Sequence, residues 1–213
     1  MSDFQPVATW QSLTSDKLYA GHLFPALQQF STHIGLTISR PDHRNIAHDI
    51  RQRMPIPDGS IAIYQAEDVF EHVPYTDIAP IITDIHRVLK PGGLFRLSVP
   101  DYRCDVLRAR SVFNDAGDVV FDPGGGGRFE NGVVVDGGHV WFPTFETVKA
   151  LFDHSPFSDA GTFDLLHFTA ADGSAALKPI DYSYGFVKRT PDNDPRVANP
   201  RRAMSIVVDA WKR

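Results

Sequence analysis

The chain has 213 residues, 42% of them hydrophobic, with a formal net charge of −5. That is length enough for one domain with a full core, and the acidic balance argues against a general nucleic-acid binder. A single cysteine, Cys104, excludes an internal disulfide and fits a reducing compartment; MSDFQPVATW lacks a secretory leader's pattern, and no run nears the ~20 apolar residues of a membrane span, so a cytoplasmic protein is expected.

Residues 1–16 read as an irregular lead-in with a helical turn near Trp10. KLYA, Lys17–Ala20, is the first predicted strand and ends at Gly21. A helix of little more than two turns is expected near Pro25–Phe30, then a second strand at His33–Ile38 (HIGLTI) and a third at Asn45–His48, ending at Asp49 and Ile50. Ser60–Gln65 is a short apolar run that turns polar, as a buried strand does where its carboxyl end opens onto a site. An acidic loop with Glu67, Asp68, Glu71 and His72 follows. Ile78, Ile81, Ile82, Ile85 and Leu89 then share one helical face, with Asp77 as its cap, Pro80 in the first turn and Pro91-Gly92-Gly93 as its stop. Leu94–Val99 is the next strand and ends at Pro100-Asp101. Strand, helix and strand in this order make a βαβ unit of a parallel sheet.

Beyond Asp101 the pattern loosens. Val106–Val112 is expected to be helical, and Val119–Phe121 and Val133–Val135 are β-like on either side of DPGGGGRFENG. Residues 113–138 read as an insertion, a hairpin or lid that closes over substrate or pairs with a second subunit in a homodimer. Gly124–Gly127 is either a flexible hinge or a disordered loop, and composition favours disorder. Thr144 caps a helix over Phe145–Phe152, Thr162–Phe168 is a sixth strand, residues 170–200 form a long polar connection, and Met204–Trp211 (MSIVVDAW) is the last strand.

DVFEHV followed by HRVLKPGGLFRLSVPD resembles the middle of a class I S-adenosylmethionine-dependent methyltransferase of the type 11 kind. In that family an EH pair follows the fourth strand, and a helix ending RVLKPGG leads into the fifth. The quick passage from KLYA to the second strand, and the tail GFVKRTPDNDPRVANPRRAMSIVVDAWKR, resemble a subgroup of predicted methyltransferases associated with polysaccharide synthesis. The likeness covers most of residues 17–213 and is weakest over 22–44 and 105–136. It implies one Rossmann-like α/β domain over 1–213: a mostly parallel, doubly wound sheet with one antiparallel strand, the last, inserted between the fifth and sixth.

The resemblance also implies S-adenosyl-L-methionine as cofactor. Ala20 and Gly21 would stand at the turn after the first strand, where the family has a glycine-rich G-x-G-x-G and this chain has Gly21-His22-Leu23-Phe24-Pro25. An acid usually ends the second strand to take the ribose hydroxyls; here Thr37 or Ser39 would substitute, or Asp42 a few residues on. Asp49 would accept from the adenine amino group with Ile50 against the ring, Asp49 as a plain turn cap being the other reading. Gln65 and Ala66 at the end of the fourth strand complete the implied cofactor set.

Methyl transfer needs the acceptor aligned with the methyl group and, for a hydroxyl, a base. His72, Asp101 and His139 all follow carboxyl ends of strands or the insertion, and His139 or His72 is the expected base with Asp101 orienting it or the acceptor. Each also has a structural reading: His72 as a support for the helix start, Asp101 as a loop brace, His139 as a satisfied buried histidine. Two histidines and an aspartate can bind a divalent cation, but their spacing is not diagnostic and no metal is assigned. The expected partner is a small-molecule or glycan substrate, with O-methylation of a sugar or glycan hydroxyl as the reaction, and neither nucleic acid nor a membrane span is expected. A catalytically inactive binding or scaffold protein, and a methyltransferase of another small metabolite or a lipid headgroup, remain as alternatives.

Overall fold

A computed structural model describes residues 6–159 and 161–213. The strands are β1 (Lys17–Ala20), β2 (Ile34–Thr37), β3 (Asn45–Ala47), β4 (Ile61–Glu67), β5 (Leu89–Pro100), β6 (Val112–Phe113), β7 (Val119–Phe121), β8 (Arg128–Glu130), β9 (Val133–Val135), β10 (Phe163–Thr169), β11 (Ala175–Leu177) and β12 (Ser205–Trp211). Eight of them form one sheet in the order β11-β10-β12-β5-β4-β1-β2-β3. β1 to β5 pair in parallel, and β12 runs antiparallel between β5 and β10. This is the arrangement the sequence leads one to expect; the short edge strand β11 adds a second antiparallel partner beyond it.

Alternate residues along the strands face opposite sides. Leu18, Ala20, Leu36, Tyr64, Ala66, Phe95, Leu97 and Val208 carry the main core on one face, packed against helices α1 (Tyr75–Val88) and α3 (Phe145–Asp153; the single turn Asp105–Arg108 is α2). α1 starts two residues before Asp77, so Asp77 lies in its first turn rather than at its cap, and Pro80 falls inside the helix on an exposed flank. The helix ends at Val88, and Pro91-Gly92-Gly93 belongs to β5, where the ladder with β4 shifts register.

The second face is covered by irregular chain. The helix expected near Pro25–Phe30 is only a 3-10 turn at Gln28–Phe30. A parallel crossover needs a dozen or more residues, and the short passage from β1 to β2 leaves room for little else. Phe30 and Leu23 pack on Tyr19 of β1, while Ile180 and Val187 pack on Leu166 and Val207. Between these patches the face is polar: Gln65, Arg96 and Asp209 are buried neighbours in register on β4, β5 and β12. Arg96 grips Asp209 with two bonds of 2.7 and 2.6 Å and donates to the carbonyls of Asp181 and Gly185 at 3.0 and 2.7 Å. Gln65 donates to the Phe186 carbonyl at 2.6 Å, and Glu67 accepts from the Lys188 amide at 2.8 Å. Buried irregular backbone has no ladder of its own, and these side chains provide its partners.

Candidate active site

A cleft of about 370 Å³ opens at the carboxyl ends of β1, β2 and β3 and beside the loop after β4. Gly21, Thr37, Asp49, Ile50 and His72 line it, together with His22, Ser39, Arg51, Val69 and Val73. Gly21 sits at φ 111°, a region open mainly to glycine, and its amide donates to the Leu36 carbonyl at 2.8 Å. Ala20, Gln65 and Ala66, expected to meet the cofactor, are fully buried in the sheet and do not line the cleft.

The chain after Gly21 is fixed by a side chain instead of by further glycines. The buried Asn45 accepts from the Leu23 amide at 2.7 Å and donates to the Leu23 carbonyl at 3.2 Å and to Asp42 at 2.8 Å. A Cβ on Gly35 would collide with this amide, so Gly35 and Asn45 form one device. Asp42 is committed to it and does not reach the cleft as a ribose acceptor. An Asn45→Ala variant strands two buried backbone groups and should lose about 2–4 kcal/mol in urea unfolding.

At the other end, Asp49 accepts from Arg51 at 2.5 and 3.0 Å, and this guanidinium holds the carboxyl below its ordinary pKa. Thr37 is buried at the strand end, its hydroxyl accepting from the Ser39 amide at 3.3 Å.

His72 and His139 come together from distant segments. The turn at Phe70–His72 and the stretch at 137–141 zip along one another: Val140 N donates to Glu71 O at 2.9 Å and Trp141 Nε1 to Phe70 O at 2.8 Å. His72 Nδ1 contacts the carbonyls of Gly137 and Gly138 at 2.9 and 3.1 Å and so carries the proton. The two rings stand edge to face, with centroids 4.7 Å apart.

His139 is oriented from behind. Arg110 donates to Asp122 at 2.7 Å, Asp122 accepts the Tyr102 hydroxyl at 2.7 Å, and Tyr102 oxygen meets His139 Nδ1 at 2.5 Å. Tyr102 spends its proton on Asp122, so His139 Nδ1–H is the donor and the Nε2 lone pair points away, 3.6 Å from Glu71 Oε1. Burial, and then the neighbouring His72, push the His139 pKa down to about 4. Burial, and then Asp68, raise that of Glu71 well above its ordinary value, so the surroundings disfavour a charge on this carboxyl. Burial would also raise Asp122, but Arg110 and Tyr102 outweigh it and keep the group ionised.

The glycine run is part of this support. Asp122 accepts from the Gly124 amide at 2.8 Å, and a Cβ on Gly125 would stand 2.6 Å from the His139 ring. What composition marks as a hinge or a disordered loop is a packed corner between two short hairpins, β6-β7 and β8-β9. Asp101 stands apart from the histidines: fully buried, it accepts from the amides of Arg103 at 3.0 Å and Thr169 at 2.6 Å. Tyr102, Asp122 and Asn45 were not singled out in sequence. Of the three, only Asp122, in Asp-Pro-Gly, carries a local signal, that of a turn.

The family model described as a methyltransferase domain matches residues 24–97. A methyltransferase from Archaeoglobus fulgidus superposes with a TM-score of 0.55 at 11% identity, over 93% of this chain and 87% of that one. A Thermotoga maritima protein described as a possible histamine N-methyltransferase gives 0.52 at 11% identity, over 92% and 81%. The chain has the fold of S-adenosylmethionine-dependent methyltransferases. A Pyrococcus horikoshii protein shares it, with a TM-score of 0.51 at 13% identity over 92% and 82%. No curated protein matches the sequence. At these identities the likeness is one of fold, and it places the cleft where open parallel sheets bind ligands, outside the carboxyl ends of the strands.

Proposed function

We propose that the protein is an S-adenosylmethionine-dependent methyltransferase acting on a hydroxyl, with a sugar or glycan as the acceptor class. The observation that carries the proposal is His72, which lines the cleft and also belongs to the polar cluster with Glu71 and His139. A group bound in the cleft therefore comes against His72, with the His139 ring edge to face with it. The residues there suit the cofactor: Ile50, Val69 and Val73 offer an apolar slot for a purine, Asp49 an acceptor for its amino group, Thr37 and Ser39 hydroxyls for the ribose, and Gly21 a backbone without side chain.

When bound, S-adenosylmethionine supplies a methyl group already activated for displacement. The chain's own part is to hold the acceptor in line, to exclude water and to receive the acceptor's proton. His72 is the nearer base, its Nε2 lone pair left free by the carbonyls on Nδ1. His139 stands behind it. Asp101 acts here as a brace of the wall, and the orienting part expected of it falls to Asp122 through Tyr102. A second cleft of about 440 Å³ is lined by Tyr102, Arg103, Arg108, Trp141 and Phe142, of which Tyr102 contacts His139. Its aromatic faces and guanidinium donors support a hydroxyl-rich acceptor. The hairpins of residues 113–138 would form the wall or lid of that cleft.

Calorimetric titration with S-adenosylmethionine and S-adenosylhomocysteine tests the reading. Binding in the micromolar range is expected, weakened about 10–100-fold by Asp49→Ala through loss of a charge-assisted bond. A folded protein that takes up neither at millimolar concentration would overturn it. The inactive scaffold reading would then prevail, favoured already by the lack of an acid after β2 and by Arg51 on the Asp49 carboxylate.

A further inference from the structure

The Glu71 carboxylate is fully buried, and neither of its oxygens receives a hydrogen bond from any other described residue. Such a group is rare, because a buried charge without donors costs several kcal/mol. It needs either a proton or a cation. Its surroundings are those of a ligand set: Glu71, His72 and His139 each bring one potential donor atom to within 4.8 Å of the other two.

We propose that Glu71, His72 and His139 bind a divalent first-row cation of the zinc class. Two imidazoles and one carboxylate are the donors such ions favour, whereas calcium and magnesium favour oxygen alone. The gap of 3.6 Å between His139 Nε2 and Glu71 Oε1 is close to the separation of about 3.3 Å spanned by two ligands on one tetrahedral zinc. The tautomer is also prepared. The Tyr102 oxygen, backed by Asp122 and Arg110, accepts the hydrogen bond of His139 Nδ1–H, which leaves the Nε2 lone pair facing Glu71. A ligating histidine that donates its other nitrogen to a carboxylate or its proxy is the usual outer shell of a metal centre.

Three protein ligands leave room for a further one, and His72 also lines the cleft. The site stands without the methyl-transfer reading. If both hold, the imidazoles would serve as ligands rather than bases, and the cation would make a nearby acceptor hydroxyl more acidic.

The test uses chelator-treated full-length protein titrated with Zn²⁺ by calorimetry and with Co²⁺ by visible absorption, without S-adenosylmethionine. One saturable site with the intense spectrum of four- or five-coordinate cobalt is expected. Glu71→Gln and His139→Ala should abolish it, and Tyr102→Phe should weaken it about 10–100-fold. Absence of saturable binding, a weak six-coordinate spectrum, or binding indifferent to both ligand substitutions would overturn the proposal. Should a variant fail to fold, the wild-type cobalt spectrum still decides. Cofactor titration of the same metal-free protein is separate, so failure of one reading leaves the other standing.

Discussion

Replacing His139 with alanine is expected to lower methyl transfer about 10²–10⁴-fold, the range for loss of a proton-transfer group, while S-adenosylmethionine affinity changes little. The ring is not among the cleft-lining groups, yet it contacts both His72 and Glu71. On the proposed readings its loss would remove a base or a metal ligand and leave the residues that line the cleft in place. The pH dependence of stability gives an independent check on the burial of this ring. Its folded pKa of about 4 lies below the ordinary 6.5, so the native state binds fewer protons than the unfolded chain between those values. Its contribution to stability is full above about pH 6.5 and fades as the pH falls toward 4. The alanine variant should show a flatter acid limb in urea titrations across that window. Asp101→Asn should behave in the opposite way, losing thermal stability through its two amide contacts while turnover follows the folded fraction. A His139 variant with wild-type turnover would remove this ring from the chemistry.

The sheet was legible in the sequence because strands declare themselves locally. KLYA, HIGLTI, LFRLSV and MSIVVDAW alternate or run apolar between turn residues, and the observed β1, β2, β5 and β12 contain or closely match them. What failed was of two kinds. Pro25–Phe30 has a helix-like pattern, but chain length between two parallel strands overrode it. Gly124–Gly127 has the composition of a loose loop, but a missing side chain makes room for Arg110 at Gly124 and for His139 at Gly125. The site divides in the same way. His72, after the fourth strand, and His139, at the end of the insertion, are legible as polar loop residues, and Gly21, Thr37, Asp49 and Ile50 are legible through the family resemblance. The relay through Tyr102 and Asp122 spans 20 and 37 residues of sequence and has no local pattern. Glu71 was visible as a charge in a loop, but its isolation is a property of packing alone.

Asp209→Ala is expected to destabilise the protein by about 3–5 kcal/mol, because it leaves Arg96 charged and unpaired inside the sheet. For a chain of this size that corresponds to a fall of about 6–20 °C in melting temperature. Arg96 is wholly inaccessible and Asp209 nearly so, which leaves water no route to the stranded charge. The double variant Arg96→Met with Asp209→Leu separates two roles. Were the pair only a pair, apolar replacement of both would be close to neutral. Arg96 also holds the carbonyls of Asp181 and Gly185, so the double variant should still lose about 1–3 kcal/mol for each orphaned carbonyl. The loss should be local: faster proteolysis and hydrogen exchange within 180–190, with α1 and the parallel strands still protected. Wild-type protection of 180–190 in the double variant would mean that the apolar contacts of Ile180 and Val187 suffice to hold this segment, and that the polar face of the sheet is not its anchor.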